Sequence, residues 1–207
     1  MFVTFEGIDG SGKTTQAALL ERWAREQGHA VVAVREPGGT KVGERIRELL
    51  LDGPGMCDWS EAALFAAARA ELAETVIRPA LERGAWVICD RYVDSSLAYQ
   101  GVARGLGIGN VHDLNLTVTG RLEPDVTFVL LLDPETALAR RGEEGRDRIE
   151  REDGEFVRRV DRGYRELAAL FRHRIVVLDG SRPTETLAER VRDEVASRER
   201  AARGAVT

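Results

Sequence analysis

The segment Gly7-Ile8-Asp9-Gly10-Ser11-Gly12-Lys13-Thr14 constrains this chain more than any other. It fits G-x-x-x-x-G-K-[ST]. In such a loop the glycines let backbone N–H groups surround donor phosphates. The lysine adds a point charge, and the hydroxyl is placed for a divalent cation. The flanks agree with this reading. Residues 2–5 form a short apolar strand before the loop. Residues 13–27 have helical spacing after it, with Ala17, Leu20, Trp23 and Ala24 along one face. The N-terminal end of that helix adds positive potential where phosphate would sit. Lys13 and Lys41 are the chain's two lysines, so one of them stands at the position where this loop requires one.

The rest of the chain alternates strand and helix. Apolar runs at residues 2–5, 30–34, 86–89, 126–132 and 175–178 read as strands. Between them the spacing predicts helices over 41–52, from a Ser60 cap to about Arg83, after Pro134 to near Gly142, over 156–171 and from Thr184 to about Arg198. Helical segments between 91 and 125 break near 105–109, and a frayed tail is expected over 201–207. Five nearly continuous apolar strands separated by helices imply an α/β fold, a five-stranded parallel sheet covered by helices on both faces. A length of 207 residues suits one domain. Ligands of such sheets bind beyond the carboxyl ends of the strands, so the residues following each strand carry the information.

Composition narrows the partners. The net charge of −5 argues against general nucleic-acid binding. No apolar run approaches the roughly 20 residues of a membrane span, and no leader-like region precedes the first strand, so the expected location is the cytoplasm. Cys57 and Cys89 are too few for a disulfide framework, and Cys89 lies in an apolar run as a small buried hydrophobe.

Two further strand ends carry candidate chemistry. Asp90-Arg91-Tyr92 follows the third strand, and a carboxylate there is placed to be a second Mg²⁺ contact beside Thr14. The loop Arg35-Glu36-Pro37-Gly38-Gly39-Thr40 is too rich in glycine to be only a connector. Phe65 and Arg69, four residues apart, share a helix face. The stretch 142–154 is dense in charge and reads as a mobile loop. It holds Arg146 and Arg148, with Arg140 and Arg141 just before it. Phosphoryl transfer builds charge on the equatorial oxygens, and a loop arginine can neutralise it. The glycine loop brings no cation besides Lys13, so further positive charge must come from elsewhere. A GTPase-type switch is a competing reading from a different class. Asp52-Gly-Pro-Gly55 fits D-x-x-G but follows a helix, and the sequence contains no N-K-x-D.

Together these segments resemble thymidylate kinase, over residues 2 to about 192. The most specific stretches are Arg35-Glu-Pro-Gly-Gly-Thr40, Asp90-Arg-Tyr-Val-Asp-Ser-Ser-Leu-Ala-Tyr-Gln-Gly101 and Asp147-Arg-Ile-Glu150. The resemblance, to the bacterial type with lid arginines, implies a P-loop nucleoside monophosphate kinase-like domain over 1–207. It also implies a lid at about 142–154, a homodimer, ATP and dTMP as substrates, and Mg²⁺. ATP would be held by Gly7, Asp9, Gly10, Ser11, Gly12, Lys13, Thr14 and Thr15, with Arg141 flanking adenine. dTMP would meet Asp9, Pro37, Phe65, Arg69, Arg91, Ser96, Tyr99 and Gln100. Within that set Phe65 would stack on the base with Pro37 near its face, Arg69 would contact the base, Ser96 would sit near its polar edge, and Tyr99 would fill the space of a ribose 2′-OH. Lys13, Arg91 and one of Arg146 and Arg148 would act on the transferred group. The metal would lie at Thr14 and Asp90.

Overall fold

A computed structural model describes residues 1–141, 147–149 and 151–204. Five strands, β1 (Phe2–Glu6), β2 (Val31–Arg35), β3 (Trp86–Asp90), β4 (Val126–Leu131) and β5 (Ile175–Asp179), form one parallel sheet in the order β2-β3-β1-β4-β5. The described helices are α1 (Lys13–Glu26), α2 (Lys41–Leu51), α3 (Asp58–Leu72), α4 (Arg78–Glu82), α5 (Val93–Ser96), α6 (Ile108–Val118), α7 (Pro134–Arg141), α8 (Gly154–Leu170) and α9 (Thr184–Gly204). Two π-helical stretches, Ala73–Ile77 and Leu97–Ala103, join α3 to α4 and extend α5.

The expected architecture is present, and the strand sequences explain it. β1, β3 and β4 lie in the middle of the sheet and are buried along nearly their whole length. β2 and β5 are the edges and are partly exposed, with Val31 buried in β2 and Ile175 and Leu178 buried in β5. Side chains of a strand point to opposite faces in turn. Thus Val87 and Cys89 enter one core while Trp86 and Ile88 enter the other. The second core is closed by Leu20 and Ala24 of α1 with Leu187, Val191 and Val195 of α9. The first is closed by Leu72, Ile77, Leu97, Val111, Val160 and Leu167. Each of the buried Leu, Ile and Val side chains among these contributes about 1.5–3 kcal/mol relative to exposure.

Several boundaries differ from the sequence expectation. β1, β2, β3 and β5 each run one residue further, to Glu6, Arg35, Asp90 and Asp179. A polar side chain does not end a strand whose backbone still pairs, and Asp90 pairs with both Phe5 and Arg35. Ser60 does not cap the long helix. The helix begins at Asp58 after Cys57, and the Ser60 hydroxyl lies 3.1 Å from Cys57 Sγ. That helix is also not uniform. Pro79 has no N–H for the i→i−4 ladder, and the π stretch ends two residues before it. α9 passes through 201–204, where fraying was expected, because no helix breaker precedes Gly204.

This topology brings the informative loops together. The order β2-β3-β1 places the carboxyl ends at Arg35, Asp90 and Glu6 side by side. From them the chain runs into the Arg35–Thr40 loop, the Asp90–Tyr92 turn and the glycine loop. Strand order reverses at β1, which is the position where open α/β sheets hold ligands.

Candidate active site

The glycine loop is a shape that side chains could not enter. Gly7, Gly10 and Gly12 have φ of 136°, 86° and 99°. A Cβ on Gly7 would lie 2.5 Å from the Leu130 carbonyl oxygen, and one on Gly10 would lie 2.4 Å from that of Ala137. Both the backbone conformation and the close approach therefore require glycine. The loop delivers Lys13 to the first turn of α1. Its ammonium is buried and donates to Ile8 O at 3.1 Å and Asp9 Oδ1 at 3.4 Å. Burial and then the Arg91 charge pull the Lys13 pKa down, while Asp9, Asp90 and Glu6 oppose them. Ser11 is buried, and Thr14 and Thr15 are exposed on the same turn.

Thr14 Oγ1 donates to Asp90 Oδ2 at 2.5 Å across the gap between α1 and β3. The other oxygen, Asp90 Oδ1, is buried with no hydrogen-bond partner among the described residues. A hydroxyl and a carboxylate with an orphaned oxygen form the hard-oxygen pair that Mg²⁺ takes. Among the described residues no group of three or more His, Cys, Asp or Glu could hold a metal. The pair therefore fits a cation that shares its coordination with phosphate oxygens and water.

Beyond the strand ends lies a cavity of about 270 Å³. Of the expected residues, Asp9, Lys13, Thr14, Pro37, Phe65, Asp90, Arg91, Ser96, Tyr99 and Gln100 line it. Arg35, Glu36, Arg47, Leu51, Ser95, Asp147 and Ile149 also line it, and sequence reasoning missed all seven as site residues. Arg35 and Glu36 had a visible signal, since they open the loop already singled out. Arg47 is one of many helical arginines; its Nη1 donates to Pro37 O at 2.9 Å.

Arg91 is the most tightly held of the cationic liners. Its backbone lies in the left-handed region at φ 71°, uncommon for a residue with a side chain. Nη2 donates to Asp9 Oδ1 at 2.5 Å, and Nη1 donates to Ser95 Oγ at 3.0 Å and Tyr164 Oη at 3.3 Å. The guanidinium lies 5.4 Å from the centroid of the Tyr99 ring. Burial alone would raise the Asp9 pKa. The Arg91 and Lys13 charges outweigh it and hold the carboxyl well below the usual range.

A buried carboxylate stands behind this arrangement. Glu6 accepts from Ser95 Oγ at 2.5 Å, Tyr164 Oη at 3.0 Å and the Tyr92 amide at 2.7 Å. Burial, then the nearby Asp94, raise its pKa to about 7, against the lowering effect of Arg91. Ser95 and Tyr164 thus bridge Glu6 to Arg91, and nothing in the local sequence marks Tyr164 as part of the site.

Arg69 and Arg148, both expected at the site, are placed off the cavity lining. Arg69 shares a helix with Phe65 but does not line the cavity. It is 1% exposed and sits beneath it, bonded to Glu36 Oε2, Ser96 Oγ, Asn115 Oδ1 and Tyr92 O. The i,i+4 spacing gave the face but not the depth. Arg148 also does not line the cavity. Its Nη2 is 2.8 Å from Glu61 Oε2, and its Nε donates to Leu50 O at 2.8 Å. Arg146 lies outside the described residues, as does the side chain of Arg141, whose backbone ends α7.

The comparisons agree with one another. The family model described as thymidylate kinase matches residues 5–191. A thymidylate kinase of Symbiobacterium thermophilum is 51% identical over 194 residues, 93% of this chain and 91% of that protein. One of Deinococcus radiodurans is 48% identical over 189 residues, 90% of this chain and 92% of that protein. A crystal structure of thymidylate kinase from Ehrlichia chaffeensis superposes with a TM-score of 0.73 at 39% identity, covering 86% of this chain and 91% of that one. No described helix is long and apolar enough to cross a membrane. A family model spanning most of the chain, with relatives this similar over most of both lengths, shows that the chain belongs to the thymidylate kinase family.

Proposed function

We propose that this chain transfers the γ-phosphoryl group of ATP to dTMP, giving dTDP and ADP for dTTP synthesis, with dTMP in the cavity beyond β1 and β3. The observation that carries the site assignment is that one cavity joins two chemistries. Lys13, Thr14 and Asp90 of the phosphate-binding side share it with Phe65, Pro37, Ser96 and Gln100, a face suited to a pyrimidine. In this reading the glycine loop and the first turn of α1, through Thr15, hold the donor phosphates. Lys13 balances their charge, and Asp9 and Arg91 hold the acceptor sugar and phosphate. Thr14 and Asp90 hold Mg²⁺, which when bound supplies charge neutralisation at the donor phosphates.

The acceptor needs no strong base. A phosphomonoester has a second pKa of about 6 and is largely dianionic at neutral pH. The chain's own contribution is alignment and fixed positive charge. Phe65 stacks on thymine, and Tyr99, packed between Phe156 and Tyr164, fills the space of a 2′-OH. Arg69 acts from below, by holding Ser96 and Glu36. One of Arg146 and Arg148 is proposed to reach the transferred group, and Arg141 flanks adenine. The proposed lid spans about 142–154. The proposed working form is a homodimer, as the resemblance implies, located in the cytoplasm.

Phe65→Ala tests the acceptor site. Stacking on a base is worth roughly 1–3 kcal/mol, so the variant should weaken dTMP by about 5- to 150-fold. The loss should fall on KM for dTMP more than on the single-turnover rate, because stacking is equal in ground and transition states. An unchanged KM for dTMP would remove Phe65 from the acceptor site.

A further inference from the structure

Glu61, in the first turn of α3, is a buried carboxylate that stands behind the cavity and collects donors from two separate parts of the chain. Its Oε1 accepts from Gln100 Nε2 at 2.9 Å and Arg104 Nε at 3.2 Å. Its Oε2 accepts from Arg104 Nη2 at 3.2 Å and Arg148 Nη2 at 2.8 Å. Gln100 lines the cavity from the π-helical stretch, and Arg104 follows it. Arg148 lies between Asp147 and Ile149, which both line the cavity. One carboxylate therefore holds both a wall of the cavity and the 147–149 segment that lines it.

The charges around Glu61 suit a contact that opens and closes. Arg104 also pairs with Glu152 at 2.6 Å and lies 3.7 Å from Asp58, and its guanidinium stacks 4.4 Å from the Phe156 centroid. If Arg148 withdraws, Glu61 keeps Arg104 and Gln100, so no buried charge is stranded. Burial raises the Glu61 pKa, and the bonds from Arg104, Gln100 and Arg148 outweigh it and hold the group ionised. Arg148 is the releasable partner. It is 17% exposed against 2% for the Glu61 side chain. When docked, it also stitches its segment to the end of α2, through Nε to Leu50 O at 2.8 Å and its amide to Leu51 O at 2.9 Å.

We propose that Glu61 is a positioning residue that couples docking of the 147–149 segment to the alignment of Gln100 against the acceptor. The inference rests on the reading of the cavity as the dTMP site. It assigns Arg148 to holding the closed segment rather than to the transferred phosphoryl group. Acceptor binding and segment docking then favour each other, because both use the same carboxylate geometry.

The test compares the full-length wild type with Glu61→Gln, Arg148→Met and the double variant. Glu61→Gln keeps an acceptor for Gln100 but removes the charge that holds Arg148. Arg148→Met keeps the apolar stem and leaves Glu61 paired with Arg104, so the fold is retained even if Glu61→Gln is not stable. Each single change should raise KM for dTMP by about 3- to 100-fold with KM for ATP nearly unchanged. The double variant should be no worse than the poorer single one, as expected of two residues in one network. Hydrogen exchange supplies the second readout. In wild type, dTMP should protect amides at 147–149 and 151–152, and either variant should lose that protection. Effects of the two changes that multiply would overturn the proposal. So would a slower single-turnover rate in Arg148→Met alone with KM for dTMP unchanged, which is the behaviour of an arginine acting on the transferred group. A wild type that neither phosphorylates dTMP nor is protected by it would overturn the cavity assignment along with this inference.

Discussion

Lys13→Ala should lower kcat by on the order of 10²- to 10³-fold while the protein stays folded. The lower bound follows from removing one pre-aimed charge in a water-poor site, where a single donor is worth that factor. Lys13 is 5% exposed and is held between Ile8 O and Asp9. Its position is therefore set before any substrate arrives, and no reorganisation is needed at the moment of transfer. Asp9 keeps Arg91 as a partner when the lysine is gone, so the variant does not strand a buried carboxylate. Single-turnover transfer from ATP, with a thermal melt as the folding control, is the measurement. Retention of more than about a tenth of wild-type kcat, a barrier change below roughly 1.4 kcal/mol, would contradict the role given to Lys13.

Arg91→Lys should fail almost as completely as Arg91→Ala, with kcat/KM for dTMP reduced by on the order of 10²-fold or more in each. Arg91 uses two separate nitrogens on Asp9 and on the Ser95–Tyr164 pair. A lysine offers one charged atom and cannot span that fork. The same substitution has a pH signature. The Arg91 charge lowers the pKa of Glu6, which stands at about 7 in the folded protein against an ordinary 4.5. A carboxyl raised on folding binds more protons in the folded state. Its stability cost is therefore absent below about 4.5 and complete above about 7. Without Arg91 the folded value rises further. The stability deficit of Arg91→Ala should therefore widen as pH rises above about 7 and should narrow toward pH 6. Urea titrations at pH 6 and 8.5 would show this, and a deficit that narrowed with rising pH would contradict the Glu6–Arg91 link.

The sheet was legible because its central strands are buried on both faces and so read as apolar runs, most plainly 86–89 and 126–132. The glycine loop was legible because phosphate binding and close packing on Leu130 and Ala137 both demand glycine. Strand ends were missed by one residue because Asp90 and Arg35 look like loop residues yet still pair. The π-helical stretches were not legible, since side-chain spacing barely distinguishes an i→i+5 turn from an i→i+4 one. Depth was the larger failure. Arg69 and Phe65 lie on one helix, but only the packing of Glu36, Asn115 and Tyr92 around Arg69 puts it under the cavity floor. Long-range pairs were invisible in the same way. Arg148 meets Glu61 across 87 residues, and Tyr164 meets Glu6 across 158. A charge-dense loop read from sequence looks the same whether its arginines face substrate or a buried carboxylate.

Release of ADP from ATP, followed for each nucleoside monophosphate and for thymidine, tests the proposed function most directly. dTMP should be the preferred acceptor by kcat/KM. dUMP, which lacks one methyl group, should fall below it by about 10-fold or more, and thymidine should be inert. Preference for another monophosphate or for thymidine, or no ADP release with dTMP, would contradict the account.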